Sequence, residues 1–237
     1  MKLNDIQGIL FDYGATIDTN GTHWAEVLWK AYEQTKVPVG KEIFREAYVY
    51  GERYLALHPV IEPSDNFLMV LLKKTKIQLD YLAENHRLSE KDHSDYSEQI
   101  SKICYREVIK NITGARPVLD YLYEKYPLVL VSNFYGNVET VLEDFDLKRY
   151  FKDIVESAVV GVRKPDPEIF SLGVKRLGLP AQQVVVIGDS YTKDILPASK
   201  AGCKTIWLKG KAWEEKEPEN PVADSIITDF AELREKL

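Results

Sequence analysis

The sequence predicts an α/β fold: a Rossmann-like parallel sheet with helices on both faces, carrying an inserted all-helical segment. Two observations predict it. After Gly114, short apolar runs alternate with segments of helical periodicity, the pattern of strands joined by crossover helices. Before Gly114, only Ile9, Leu10 and Phe11 have the length and flanks of a strand. A parallel sheet needs more than one strand, so the long helical block that follows is read as an insertion between the first strand and the rest.

The elements follow in order. The first strand ends at Asp12. Trp24, Val27, Leu28, Ala31 and Tyr32 recur at helical spacing, as do Ile43, Phe44, Ala47, Tyr48 and Leu55. Phe67, Leu68, Leu71 and Leu72 make a third stripe, and Tyr96, Ile100, Ile103, Cys104 and Val108 a fourth. Beyond Gly114, Pro117 to Tyr126 reads as a new helix, "LVLVSN" as a buried strand, Val138 to Phe145 as a helix and "DIVES" as a strand. "DPEIFSLGVKRLG" carries a start and a stop: Asp166 as N-cap, Pro167 in the first turn, Gly178 past the end. "VVVIGDS" is a strand, "KDILPASKAG" a helix, "KTIWL" and "SIIT" strands, and "DFAELREKL" a closing helix. The expected division is a core of residues 1–17 and 113–237 and a helical cap of residues 18–112.

Composition narrows the function classes. Of 237 residues, 45% are hydrophobic and 29% charged, which suits a globular chain with a sizeable core. The net charge of −6 argues against a nucleic-acid partner, because a phosphate backbone is repelled by that average. The apolar run near the N-terminus is too short for a membrane helix or a signal peptide. With two cysteines, Cys104 and Cys203, no disulfide framework is implied. A reduced, cytoplasmic protein without membrane contact is expected.

Ligands of open parallel sheets bind beyond the carboxyl ends of the strands. Three strands end there in polar residues: Asp12 after "ILF", Ser132 and Asn133 after "LVLV", Asp189 and Ser190 after "VVVIG". Lys164, in "VVGVRKPDP", precedes a turn and a helix start. Asp189 and Asp194 are spaced to face one ion across the turn into a helix. Clustered carboxylates repel and raise one another's pKa, and a hard cation with oxygen ligands such as Mg²⁺ relieves this.

The order of these segments resembles the haloacid dehalogenase superfamily. "ILFDYGAT" matches its first motif, "LVSN" its second, Lys164 in "VRKPDP" its third and "VIGDSYTKD" its fourth. The helical block after the first motif resembles the superfamily's helical cap of the first class. The resemblance implies phosphoryl transfer to a small phosphorylated substrate. Asp12 would be the nucleophile. Mg²⁺ would lie between Asp12, the backbone carbonyl of Gly14 and Asp189, supported by Asp194. Ser132, Asn133 and Lys164 would bind the phosphoryl group, with Ser132 and Lys164 also stabilising the transition state.

The departure is Gly14. Phosphatases of this superfamily usually carry an aspartate there, two residues past the nucleophile, to protonate the leaving alcohol. Such acid–base help is worth roughly 10² to 10⁴ in rate. The leading expectation is therefore a Mg²⁺-dependent hydrolase, slowed or suited to leaving groups that need no proton, such as acyl phosphates. Phosphonatase-like or dehalogenase-like cleavage is the alternative, since neither needs an acid at position 14. The superfamily's dehalogenases use no metal and usually carry Tyr there; its phosphonatases need a cap lysine, and Lys30, Lys36, Lys41 and Lys73 stand in no recognised context. A further alternative is a pseudophosphatase that binds a phosphorylated ligand or a protein. Of the remaining polar residues, Asp18 is expected in a turn, His23 at a helix start, Trp24 and the Tyr-rich "YVYGERYLALH" in packing, and Arg45 and Arg53 on a solvated face.

Overall fold

The computed structural model describes residues 3–86, 93–213 and 218–237. Six parallel strands, β1 (Gly8–Phe11), β2 (Leu128–Ser132), β3 (Phe151–Glu156), β4 (Val184–Gly188), β5 (Lys204–Leu208) and β6 (Ser225–Ile227), form one sheet in the order β3-β2-β1-β4-β5-β6. Every residue of β1, β2 and β4 is buried. These three strands have helices over both faces, which is why they read as unbroken apolar runs rather than alternating ones. β1 pairs with β2 on one side and β4 on the other. The order therefore reverses at β1, and the crevice beyond its end is the topological switch point.

Four helices stand between β1 and β2: α1 (Trp24–Gln34), α2 (Lys41–Leu57), α3 (Phe67–His86) and α4 (His93–Tyr123). No strand intervenes among the described residues. Their buried positions are those the periodicity predicts, among them Leu28, Ala31 and Tyr32 on α1 and Phe44, Ala47 and Leu55 on α2. Arg45 and Arg53 are exposed.

The helix expected to restart near Pro117 does not restart. α4 runs unbroken through Gly114 and Pro117. Ile100, Cys104, Val108, Ile112, Ala115, Val118, Leu119 and Leu122 are all buried, and their helical phase never slips. An interior proline costs roughly 3 kcal/mol. Burial of several large apolar side chains, at roughly 1.5–3 kcal/mol each, outweighs it.

The remaining helices are α5 (Val138–Asp144), α6 (Ser157–Val160), α7 (Glu168–Leu177), α8 (Leu196–Lys200) and α9 (Leu233–Lys236). α7 stops where expected, at Gly178 with φ 74°. Its start lies one residue later than predicted: Pro167 is the N-cap, and Asp166 Oδ1 accepts from the Glu168 N–H at 2.9 Å. The predicted helix over residues 193–202 is shorter, because Tyr191–Ile195 forms a π-helical turn before α8. No helix among the described residues is long and apolar enough to cross a membrane.

Candidate active site

Asp12 leaves β1 at the switch point and Asp189 leaves the neighbouring β4, so sheet topology alone brings the two carboxylates together. The π-helical turn after Asp189 brings Asp194 back to the same place. There its carboxylate lies against the end of β4, where Gly188 leaves it room: a Cβ on Gly188 would sit 2.5 Å from Asp194. The Ser190 N–H donates to Asp194 Oδ2 at 3.1 Å. Oxygens of Asp12, Asp189 and Asp194 all lie within 4.8 Å of one another.

Lys164 enters from the loop after α6. Its ammonium, almost wholly buried, lies 2.5 Å from Asp12 Oδ1 and 2.6 Å from Asp194 Oδ1. Burial works against its charge, but Asp12 and Asp194 hold it protonated, above the usual lysine range. Asn133 fixes the loop. Its side-chain oxygen accepts from the Lys164 N–H at 2.9 Å and its amide donates to the Lys164 carbonyl at 3.1 Å. Asn133 thus stands in the cavity wall with both ends of its side chain engaged by Lys164. Ser132, at the end of β2, is buried in the same wall.

Thr16 is a residue that sequence reasoning missed. Its hydroxyl donates to Asp12 Oδ2 at 2.8 Å and accepts from the Asp189 N–H at 3.1 Å, tying the two strand ends together. The signal was a hydroxyl four residues after Asp12 inside the first motif. Trp207 was also unforeseen: its indole N–H donates to the Asp189 carbonyl at 2.7 Å.

The acids carry unrelieved charge. Burial pushes the Asp12 carboxyl up to about 6; Lys164 opposes this and Asp194 adds to it. Burial, then Asp12 and Asp194, raise Asp189 well above the carboxylate range. One lysine against three acids leaves a buried negative excess. That donor set fits a hard divalent cation, which takes several carboxylates as oxygen ligands.

Gly14 lines the cavity, and a Cβ built there meets only Trp24 Nε1, at 4.0 Å. Ala15 beside it takes the left-handed conformation, φ 66°. Asp18 does not reach the cavity. It is fully buried behind the loop, accepting from the Ala15 N–H at 2.6 Å and from Trp24 Nε1 at 2.9 Å. His23 lines the cavity but caps α1: its Nδ1 accepts from the Ala25 N–H at 3.1 Å, which leaves the ring proton on Nε2. A neutral imidazole held in that tautomer has no free nitrogen to serve as a base.

The cavity, about 940 Å³, is roofed by helices α2 and α3. From them Tyr48, Glu52 and Lys74 face in, with Tyr135 beside them from the core. Neither Glu52 nor Lys74 was singled out from the sequence.

The comparisons with known proteins agree with this architecture. The family model of the haloacid dehalogenase-like hydrolases matches residues 57–208. The haloacid dehalogenase-like hydrolase domain-containing protein 3 of Danio rerio is 36% identical over 108 residues, 46% of this chain and 44% of that protein. The glyceraldehyde 3-phosphate phosphatase of Pyrococcus furiosus is 32% identical over 135 residues, 54% of this chain and 55% of that protein. The chain thus spans about half the length of these curated relatives. A crystal structure of a dehalogenase with an intermediate complex superposes with a TM-score of 0.68 over 99% of this chain and 98% of that one, at 15% identity, a likeness of fold. With the family's sequence pattern matched from the end of α2 to the end of β5, on a sheet whose switch point gathers Asp12, Asp189 and Asp194 around Lys164, this chain belongs to the haloacid dehalogenase-like hydrolases.

Proposed function

We propose that this chain is a Mg²⁺-dependent phosphatase of small phosphorylated molecules, working through an aspartyl-phosphate on Asp12. The observation that carries the reading is the convergence of Asp12, Asp189, Asp194 and Lys164 at the switch point of the sheet. A relative named as a glyceraldehyde 3-phosphate phosphatase supports the substrate class.

Asp12 is aimed by two partners, Thr16 on Oδ2 and Lys164 on Oδ1. A carboxylate oxygen attacks phosphorus as the bond to the leaving group breaks, and water then hydrolyses the acyl phosphate and returns the carboxylate. Ser132 and Lys164 hold the phosphoryl oxygens, and Asn133 positions Lys164 rather than the substrate. Asp12, Asp189, Asp194 and the Gly14 carbonyl would hold Mg²⁺, which when bound neutralises charge on the transferring group. Helices α2 and α3, within the expected cap of residues 18–112, close the cavity to large substrates and exclude water.

Among the described residues, the loop after β1 offers the leaving group no acid. Gly14 has no side chain, Asp18 is enclosed behind the loop, and His23 is fixed as a cap. Substrates with weakly basic leaving groups, acyl phosphates first, are therefore preferred. The cap lysine facing the cavity, Lys74, is held protonated by Glu52, so it offers no free amine for imine chemistry on a phosphonate.

The test is a phosphatase assay on para-nitrophenyl phosphate and a simple alkyl phosphate, with Mg²⁺ and with EDTA. Hydrolysis should need Mg²⁺ and strongly favour the aryl ester. Gly14→Asp should speed the alkyl ester more, by up to the order of 10², because an acid helps most where most charge develops on the leaving oxygen. The open space at Gly14 and its ordinary φ make that substitution structurally tolerable. Turnover unaffected by EDTA, or no turnover of any phosphate ester or acyl phosphate, overturns the reading.

A further inference from the structure

Across the cavity from the acids, the roof carries a charged pair that folding does not explain. Glu52 on α2 and Lys74 on α3 meet at 2.7 Å. A buried ion pair is no better for stability than apolar side chains of the same volume, and often worse. Yet this one sits among the cap helices and faces the same cavity as Asp12. The two partners are unequally placed: the Lys74 side chain is 9% exposed, the Glu52 side chain 35%. Both line the cavity; Glu52 is the more open of the two, its Oε1 enclosed against Lys74 and its Oε2 on the side of Tyr135.

The neighbours complete an arrangement around that carboxylate. The Tyr135 hydroxyl reaches Glu52 Oε2 at 3.5 Å, and the Lys74 ammonium lies 5.5 Å over the Tyr135 ring. Tyr48, one helical turn before Glu52 on α2, lines the cavity on the same face. Its ring stands 6.0 Å from that of His23 at the mouth of α1. Burial works against the Lys74 charge, but Glu52, then Tyr135 and Tyr48, keep it protonated. Lys74 in turn holds the Glu52 carboxylate in place.

We infer that Glu52 is a specificity residue, accepting a hydrogen bond from a neutral donor, a hydroxyl or an amide N–H, at the end of the substrate away from its phosphoryl group, with Lys74 as its positioning residue. The inference rests on the phosphatase reading and names its substrate class: a small phosphate ester or acyl phosphate with a neutral hydrogen-bond donor beyond the leaving atom. A second carboxylate there would face the Glu52 carboxylate and be repelled. The Glu52 charge is already matched by Lys74, so an ammonium gains less there than at an unpaired carboxylate.

The test compares two phenyl phosphates whose para position bears, through a methylene, either a carboxamide or a carboxylate. The two phenols are nearly equal in acidity, so the leaving group does not separate them. Wild-type kcat/KM should favour the amide by at least about tenfold, carried mainly by KM. Glu52→Gln, isosteric and without charge, should collapse that ratio towards one. Lys74→Met should lower it, and Lys74→Arg should restore it, which a purely structural role would not produce. Thermal melts verify the fold of each variant; should a variant not fold, the wild-type ratio alone decides. Equal rates on the two esters in the wild type, or a ratio unchanged in Glu52→Gln, overturn the assignment while leaving the phosphatase intact. Hydrolysis of neither ester, nor of para-nitrophenyl phosphate, overturns the phosphatase reading and the subsite with it.

Discussion

Asp18 is enclosed between the Ala15 N–H and the Trp24 indole, and burial pushes its carboxyl up to about 8 from an ordinary 3.8. An acid raised in the fold keeps a proton that the unfolded chain has lost. Its contribution to stability is full below the unfolded value and is lost as pH rises towards the folded one. Asp18→Asn removes that titration. The melting temperature of the variant minus that of the wild type should therefore increase as pH rises between about 4 and about 8, measured in EDTA by thermal melts. A difference that stays constant, or falls, would mean the carboxylate is ionised in the fold. Position 18 read as a turn residue, and the turn is there; what one position in a sequence does not carry is the indole that closes over it.

At the scale of elements, α1 is clasped between the start of α2 and the loop after β5. Glu26, nearly buried, receives Lys41 at the start of α2 at 2.7 Å on one oxygen and Lys211 from the loop after β5 on the other. Trp213 on the same loop packs on Phe44, with the Lys41 ammonium 4.5 Å over its ring. Burial alone would raise the Glu26 pKa, but the two lysines hold it below the usual range. The lysine side chains are about half exposed, so solvent screens each bridge to roughly 0.5–1 kcal/mol. Glu26→Gln should lower stability by about 1–2 kcal/mol at neutral pH, read by urea unfolding. The loss should vanish as pH falls through the folded pKa of Glu26, because the wild type then loses the same charge. The sequence shows Lys41 and Lys211 as surface lysines far apart; only their meeting on one carboxylate makes them a clasp.

For the molecule as a whole, the clustered acids oppose the fold that gathers them. Asp12 and Asp194 are buried and Asp189 half-buried beside them, with Lys164 between Asp12 and Asp194. Adding Mg²⁺ should stabilise the protein by RT ln(1 + [Mg²⁺]/Kd), about 2.7 kcal/mol at a hundredfold excess over Kd, visible as a rise of several degrees in melting temperature. Asp189→Asn should abolish that rise. In EDTA the same variant should melt no lower than the wild type, because a carboxyl that burial and its acidic neighbours disfavour as an ion has been replaced by a neutral amide. A wild-type melting temperature unmoved by Mg²⁺ would count against the site.

The apolar runs and their periods determined the sheet and its parallel sense. They also determined the helical insertion after β1 and the residues at the strand ends, because burial on both faces leaves a mark on every position of a strand. Asp12, Asp189 and Lys164 were legible for that reason, together with the order of the four motifs. The continuity of α4 was hidden by Pro117, a strong local signal overruled by an apolar stripe whose burial is worth more. Thr16 left only a hydroxyl inside the first motif, and Trp207 and the Glu52–Lys74 pair left no local signal. Their significance lies in partners 173, 18 and 22 residues away: the pairing of β1, β4 and β5 brings Thr16 and Trp207 to Asp189, and the packing of α2 on α3 brings Glu52 to Lys74.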